Sequence, residues 1–215
     1  MSFSIIGGAD GPTSIFLAGK LGDLFMIPAL LILALFYAIY IGKMIAQKKK
    51  GIQTDQIGRK KEKSKRRTIE IILKLATYSI VVVEFISIFA VDSLLGMNVA
   101  TVGLILGIVG DVIFGIAVYT MKDSWRAGIA QQDKTEMVTS GIYKYSRNPA
   151  FLAFDLVYIG ILLMYFNWVL LIFTLWAMVM LHLQILQEEQ YLPTVFGDKY
   201  LEYKKHTMRY LGRKR

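Results

Sequence analysis

Apolar residues along the chain fall into long uninterrupted runs rather than short amphipathic stretches, and the polar residues collect between the runs. Leu24 to Gly42 is free of charge for 19 residues, enough at the helical rise to cross a hydrocarbon core of about 30 Å. Ile69 to Val91 predicts a second span, interrupted by Lys74 near one end and Glu84 near the other, and Ser93 to Met121 a third with Asp111 inside it. From Leu156 to Gln187 there are 32 residues without a charge, which as one helix would measure roughly 48 Å and overshoot the bilayer. The chain must therefore fold back. The break Tyr165-Phe166-Asn167-Trp168 divides it into a fourth span from Pro149 to Phe166 and a fifth from Trp168 to Gln187. The pattern predicts an all-α integral membrane protein with five transmembrane helices.

Composition agrees. Of 215 residues 55% are hydrophobic and 19% charged, with a mean hydropathy of +0.48, too apolar for a soluble domain of one core. Cysteine is absent and histidine occurs twice, which excludes disulfides, thiolate chemistry and a histidine-rich metal centre, so no metal is expected. The formal charge of +9 sits beside the apolar runs, where anionic lipid, not nucleic acid, is the expected partner. Between Lys43 and Arg67 there are 11 Lys and Arg, between Lys122 and Arg147 there are 5, and between Lys199 and Arg215 there are 7, making 23 of 25. Five spans put all three segments on one side, which the positive-inside rule makes cytoplasmic, leaving the N-terminus outside. Lys48 to Arg67 reads as a flexible loop touching lipid. No small-residue cleavage pattern follows the first span, which argues against a removable signal peptide.

Polar chemistry is concentrated in the 122–149 loop and the tail. Gly141 permits a tight turn, and Pro149 suits the first turn of a helix, making Asn148 its expected N-cap. Arg147 beside that helix start forms a ready anion site. The fifth span ends in Gln187-Glu188-Glu189-Gln190, where adjacent carboxylates point about 100° apart, so that one faces a site and the other faces water. His182 reads as an interhelical hydrogen-bonding residue, and Glu84 and Asp111 as paired or boundary residues. Asp155 lies seven residues beyond Asn148, on nearly the same face and two turns deeper.

Taken in order, SWRAGI, TSGIYKYSRNPAFLAF, an apolar hairpin, QEEQYLPTVFGDKYLEYKK and Arg209 resemble the isoprenylcysteine carboxyl methyltransferase and phospholipid methyltransferase superfamily, over Trp125 to Arg209. The resemblance implies an integral enzyme of the cell membrane that takes a methyl group from S-adenosylmethionine at the cytoplasmic face. It makes Gly141, Tyr143, Arg147, Asn148, Pro149, Glu188 and Glu189 cofactor candidates, with Tyr200 and Tyr203 in a closing tail and Trp125 stacking on adenine or sulfonium. Asn148 stands where many members have histidine, which removes a titratable group. A carboxylate acceptor needs a cation and a dry pocket, for which Arg126 and Arg209 are candidates. An amine acceptor needs a base, for which Asp155 is the candidate. The expected activity is carboxyl methylation of a lipophilic, isoprenylcysteine-type acid, with N-methylation of a phospholipid amine as the alternative. Residues 69–215 then form the methyltransferase-like domain, 24–68 the first span and basic loop, and 1–23 a Gly-rich segment. That segment, GGADGPT included, resembles the membrane beta subunit of sodium-pumping decarboxylases, and it alone supports a second alternative, a membrane scaffold or sodium-binding protein.

Overall fold

The computed structural model describes residues 4–6, 14–16, 23–55, 57, 65–92, 94–126 and 136–213. A short antiparallel pair, β1 (Ser4–Ile6) and β2 (Ser14–Phe16), precedes the helical body. Among the described residues six α-helices follow: α1 (Met26–Lys49), α2 (Lys65–Ala90), α3 (Met97–Met121), α4 (Pro149–Met164), α5 (Trp168–Phe196) and α6 (Asp198–His206). Four of them, α1, α2, α3 and α5, have the length and apolarity to cross a membrane, and α4 is shorter. At 16 residues α4 is about 24 Å long, and at 29 residues α5 is about 44 Å. The hairpin turn falls at the expected break, where the Asn167 side chain accepts from Leu170 N at 2.9 Å and donates to Ser87 Oγ at 2.9 Å. That bond puts the end of α2 beside the α4–α5 turn.

Large apolar side chains face outward on the long helices, among them Leu31 at 63%, Val82 at 58%, Ile105 at 54% and Ile172 at 64% exposure. A surface of this kind is stable only against hydrocarbon, which establishes an integral membrane protein. Two boundaries differ from the sequence reading. Helix α1 continues past Gly42 to Lys49, where Lys48 and Lys49 in the last turn complement the negative end of the helix dipole. Helix α5 runs through Pro193 to Gly197, whose φ of +56° ends it and turns the chain into α6.

α3 packs on α4, α2 on α5, and α1 against α3. The α3–α4 contact is built from glycine, as close approach of transmembrane helices requires. A Cβ at Gly160 would stand 2.7 Å from Gly103 O and 2.8 Å from Gly107 N, both backbone atoms that cannot yield. Gly160→Val is therefore expected to cost about 1–3 kcal/mol or more through overpacking. Thermal unfolding in detergent checks this, and an unchanged Tm would contradict it.

Two buried acids of the spans, Glu84 and Asp111, leave oxygens unsatisfied. Among the described residues Glu84, wholly buried, has no hydrogen-bond partner for either carboxylate oxygen, and Asp111 has none for Oδ1. Glu84 is therefore not the paired residue expected.

Candidate functional site

The site is built where the end of α3, the turn before α4 and the last turns of α5 meet the returning tail. Gly141, at φ +58°, opens a 3-10 turn through Lys144, and a Cβ there would meet Thr120 Cγ2 at 3.0 Å. This turn buries Tyr143 and delivers Arg147 and Asn148 to the start of α4. Pro149 occupies the first turn as expected. Asn148 sits at the N-cap position as expected, although its side chain makes no capping bond. Its amide donates instead to Glu189 Oε1 at 3.4 Å and Arg209 O at 3.2 Å, because the tail passes over the helix end.

The tail is fastened by backbone bonds, Arg147 N to Met208 O at 3.0 Å and Gly212 N to Tyr145 O at 2.7 Å. Tyr203 donates from its hydroxyl to Tyr143 O at 2.6 Å. Burial raises Tyr143 and Tyr203 above the ordinary phenol value and pushes Tyr200 up to about 12. All three stay neutral at physiological pH and do not serve as bases.

Glu189 is the hub. Arg147 donates to its Oε1 at 2.6 Å, and Arg209 reaches Oε1 and Oε2, both at 3.1 Å. Lys204 stands 3.9 Å from Oε2. The Arg147 and Glu189 side chains are 5% and 4% exposed, so a buried ion pair lies at the centre of a cluster with more cation than anion, whose outer members Arg209 and Lys204 are partly exposed. Its Glu189 hydrogen bonds hold the Arg209 guanidinium above its ordinary value. The expectation that one of the two glutamates faces water is corrected, since Glu189 is buried and Glu188 lines a cavity. The 100° separation does hold: Glu188 turns to a cavity while Glu189 turns to the arginines.

That cavity lies between the 121–126 segment, the 136–151 turn and α5–α6. Among its lining residues are Trp125, Arg126, Tyr143, Arg147, Asn148, Pro149, Glu188, Tyr200 and Tyr203, with Met137, Tyr191 and Phe196. A second, mainly apolar cavity adjoins it, lined by Tyr37, Tyr40, Met44, Asp55, Ile57, Leu73, Tyr78, Phe154, Tyr158 and Gln184 among others. Trp125, Arg126, Ala150 and Phe151 line both. Trp125 is 4% exposed and set edge-on to Tyr40 at 5.5 Å and Phe114 at 6.2 Å. It is a partition between the cavities, held by rings, not an anchor at the lipid surface. Arg126 donates to the carbonyls of Asp123 and Trp125.

Of the residues nominated from sequence, nine thus gather on one cavity. Gly141 shapes its turn, and Glu189 and Arg209 lie behind it as a clasp on Arg147. Asp155 lines neither cavity. It shares its face with Asn148, and that face turns to the tail, where Asp155 lies within electrostatic range of Tyr210. His182 bonds Tyr210 through Nδ1 at 2.6 Å, so its partner is the tail and not another helix. Ala127, Gly128 and the GGADGPT segment lie outside the described residues. Reading the sequence overlooked the α1 face. Tyr37, Tyr40, Met44 and Gln47 recur at spacings of three and four, the signal that places them together.

The loop reading of Lys48 to Arg67 is also corrected in part. Thr54 is buried, Asp55 pairs with Lys74 at 2.9 Å, and Asp55 and Ile57 line the apolar cavity. Residues 58–64 lie outside the described residues, and Lys65, Arg66 and Arg67 are not loop but the first turn of α2.

Comparison with known proteins bears on the same region. Residues 102–194 match the profile of the family described as Isoprenylcysteine carboxyl methyltransferase (ICMT) family. A curated relative, Protein-S-isoprenylcysteine O-methyltransferase of Saccharomyces cerevisiae (strain ATCC 204508 / S288c), is 32% identical over 107 residues. The match takes in 47% of this chain and 44% of the yeast protein, so it spans under half of that relative's length. From α3 through nearly all of α5, the part that carries Trp125, Arg147 and Glu188, the chain is similar to the isoprenylcysteine carboxyl methyltransferase family.

Proposed function

We propose that this protein is an integral membrane methyltransferase that uses S-adenosylmethionine to esterify a lipophilic carboxylic acid of the isoprenylcysteine type. The observation that carries the reading is the pair of adjoining cavities, one polar-rimmed and one apolar, divided by Trp125 and Arg126.

The residues of the first cavity fit the cofactor. Arg147 Nε is a buried donor with no acceptor among the described residues, suited to an anionic group, and the excess positive charge of the Glu189 cluster favours one there. Glu188 offers acceptors to hydroxyls or an ammonium, and the flat faces of Trp125 and Tyr191 suit an adenine or a cation. When bound, the cofactor supplies a methyl group on a positively charged sulfur that departs as a neutral thioether. The chain's own contribution is positioning and dehydration. Arg126, on the shared wall, meets an acid arriving from the apolar cavity. Trp125, backed by Tyr40 and Phe114, excludes water from the junction. A carboxylate is already deprotonated at neutral pH, so the neutral tyrosines of the site need do nothing more than donate hydrogen bonds.

The amine alternative requires a proton acceptor. Asp155, the sequence candidate, lies away from both cavities, which favours the acid. The sodium-binding alternative rests on the N-terminal segment alone.

On this reading the site lies at the cytoplasmic face with the N-terminus outside, which the three basic segments and the positive-inside rule support. A cysteine introduced at Ser140 and modified only by an impermeant reagent added externally would reverse that orientation. Cofactor binding is tested by calorimetry of the detergent-solubilised protein with S-adenosylmethionine. Saturable binding by wild type, weakened at least tenfold in Glu188→Ala, is expected. No binding by wild type would refute the proposal.

A further inference from the structure

Gln47 is 1% exposed although three lysines follow it directly. Its Nε2 donates to Trp125 O at 3.0 Å and to Asp123 O at 3.4 Å, and its Oε1 accepts from the Thr54 hydroxyl at 2.6 Å. The hydroxyl satisfies the amide oxygen and thereby turns the NH2 toward the two carbonyls. Thr54 is itself buried, at 3%. One side chain thus joins three walls of the apolar cavity: the α1 face that carries Tyr37, Tyr40 and Met44, the segment that carries Asp55 and Ile57, and the Trp125–Arg126 partition. None of Gln47, Thr54, Asp55 or Ile57 lies within the stretch that matches the family.

From this geometry we infer that Gln47 is a positioning residue for the acceptor, acting through the Asp123–Trp125 backbone. The inference rests on the two-cavity reading above. Rigid backbone is needed because Trp125 and Arg126 must present one surface to the cofactor and another to the acceptor. A carbonyl pair held by a buried amide gives that rigidity, whereas the nearby Lys50–Asp123 ion pair, at 2.7 Å but with side chains 58% and 50% exposed, gives little. Removing Gln47's donors leaves both carbonyls to Arg126 alone and frees the partition to shift toward the apolar side.

The test uses the full chain in detergent with N-acetyl-S-farnesylcysteine as the acceptor. Gln47→Met keeps the length of the side chain and loses the amide. It is expected to raise the acceptor KM about tenfold, in the range of losing hydrogen bonds from a buried group, with kcat changed less and the Kd for S-adenosylmethionine within twofold. Gln47→Glu, which can still accept from Thr54 but cannot donate, should match it, and Lys50→Ala should behave as wild type. A second readout needs no activity. With Trp168→Phe and Trp176→Phe, Trp125 is the remaining tryptophan, and Gln47→Met should shift its emission to the red. An unshifted emission, or equal weakening of cofactor and acceptor, would overturn the positioning role. Failure of the wild type to methylate any acceptor while the emission shift is present would overturn the acceptor reading instead.

Discussion

Glu189→Ala is expected to destabilise the protein by about 3–5 kcal/mol, the cost of removing one partner from a buried ion pair. The carboxylate lies within a cage of Arg147, Arg209, Asn148 and Lys204. Its loss leaves the Arg147 guanidinium buried without a carboxylate, held by the carbonyls of Thr207 and Lys204. It also unfastens the tail, since Arg209 loses both of its bonds to Glu189. Cofactor affinity falls as a consequence, because Arg147 lines the cavity and Glu189 sets its place. Arg147→Ala removes the cation itself and is expected to weaken cofactor binding by about 1.5–3 kcal/mol. Thermal unfolding and calorimetry in detergent separate the two variants. Glu189→Ala with an unchanged Tm would show that the cluster is not buried as described.

The second large effect is expected at the partition. Arg126→Ala should lower kcat/KM for a lipophilic acid roughly 10- to 100-fold, corresponding to about 1.4–2.8 kcal/mol of transition-state stabilisation. Cofactor Kd should change little, because Arg147 and Glu188 remain in place. Two losses combine in this variant. The cation facing the acid disappears, and so do the donors to Asp123 O and Trp125 O that Arg126 shares with Gln47. Steady-state kinetics with varied acceptor and varied cofactor distinguishes them. A loss confined to cofactor affinity would remove Arg126 from the acceptor side. Arg209→Ala, a variant nominated from sequence on the same grounds, should act through stability instead, as its guanidinium is committed to Glu189.

How far this was legible in the sequence depends on the range of the interactions. The helices and the turn at Asn167 follow from apolar runs and one polar break, which are local signals. The gathering of Trp125, Tyr143, Arg147, Asn148 and Glu188 on one cavity followed from motif order. The division of labour between Glu188 and Glu189 was half legible, since helical geometry separates them but cannot say that the second meets two arginines. Arg209 was misplaced for the same reason: its partner is 20 residues away across a tail that doubles back through Met208 and Gly212. Asp155 was placed on the correct face of α4, yet what that face meets was decided by the tail. Gln47 was hidden among lysines, where a polar residue reads as solvated. Only the burial of the α1 end beneath Trp125 and Thr54 gives it a role.

The most direct measurement is chemical. Membranes containing the protein are incubated with methyl-labelled S-adenosylmethionine and N-acetyl-S-farnesylcysteine, and the lipophilic product is treated with mild base. Label released as methanol, and lost from the Arg126→Ala reaction, is the predicted result, since an ester is cleaved under these conditions. Label that resists base and resides in the phospholipid headgroup fraction would contradict the account and assign the protein to amine methylation.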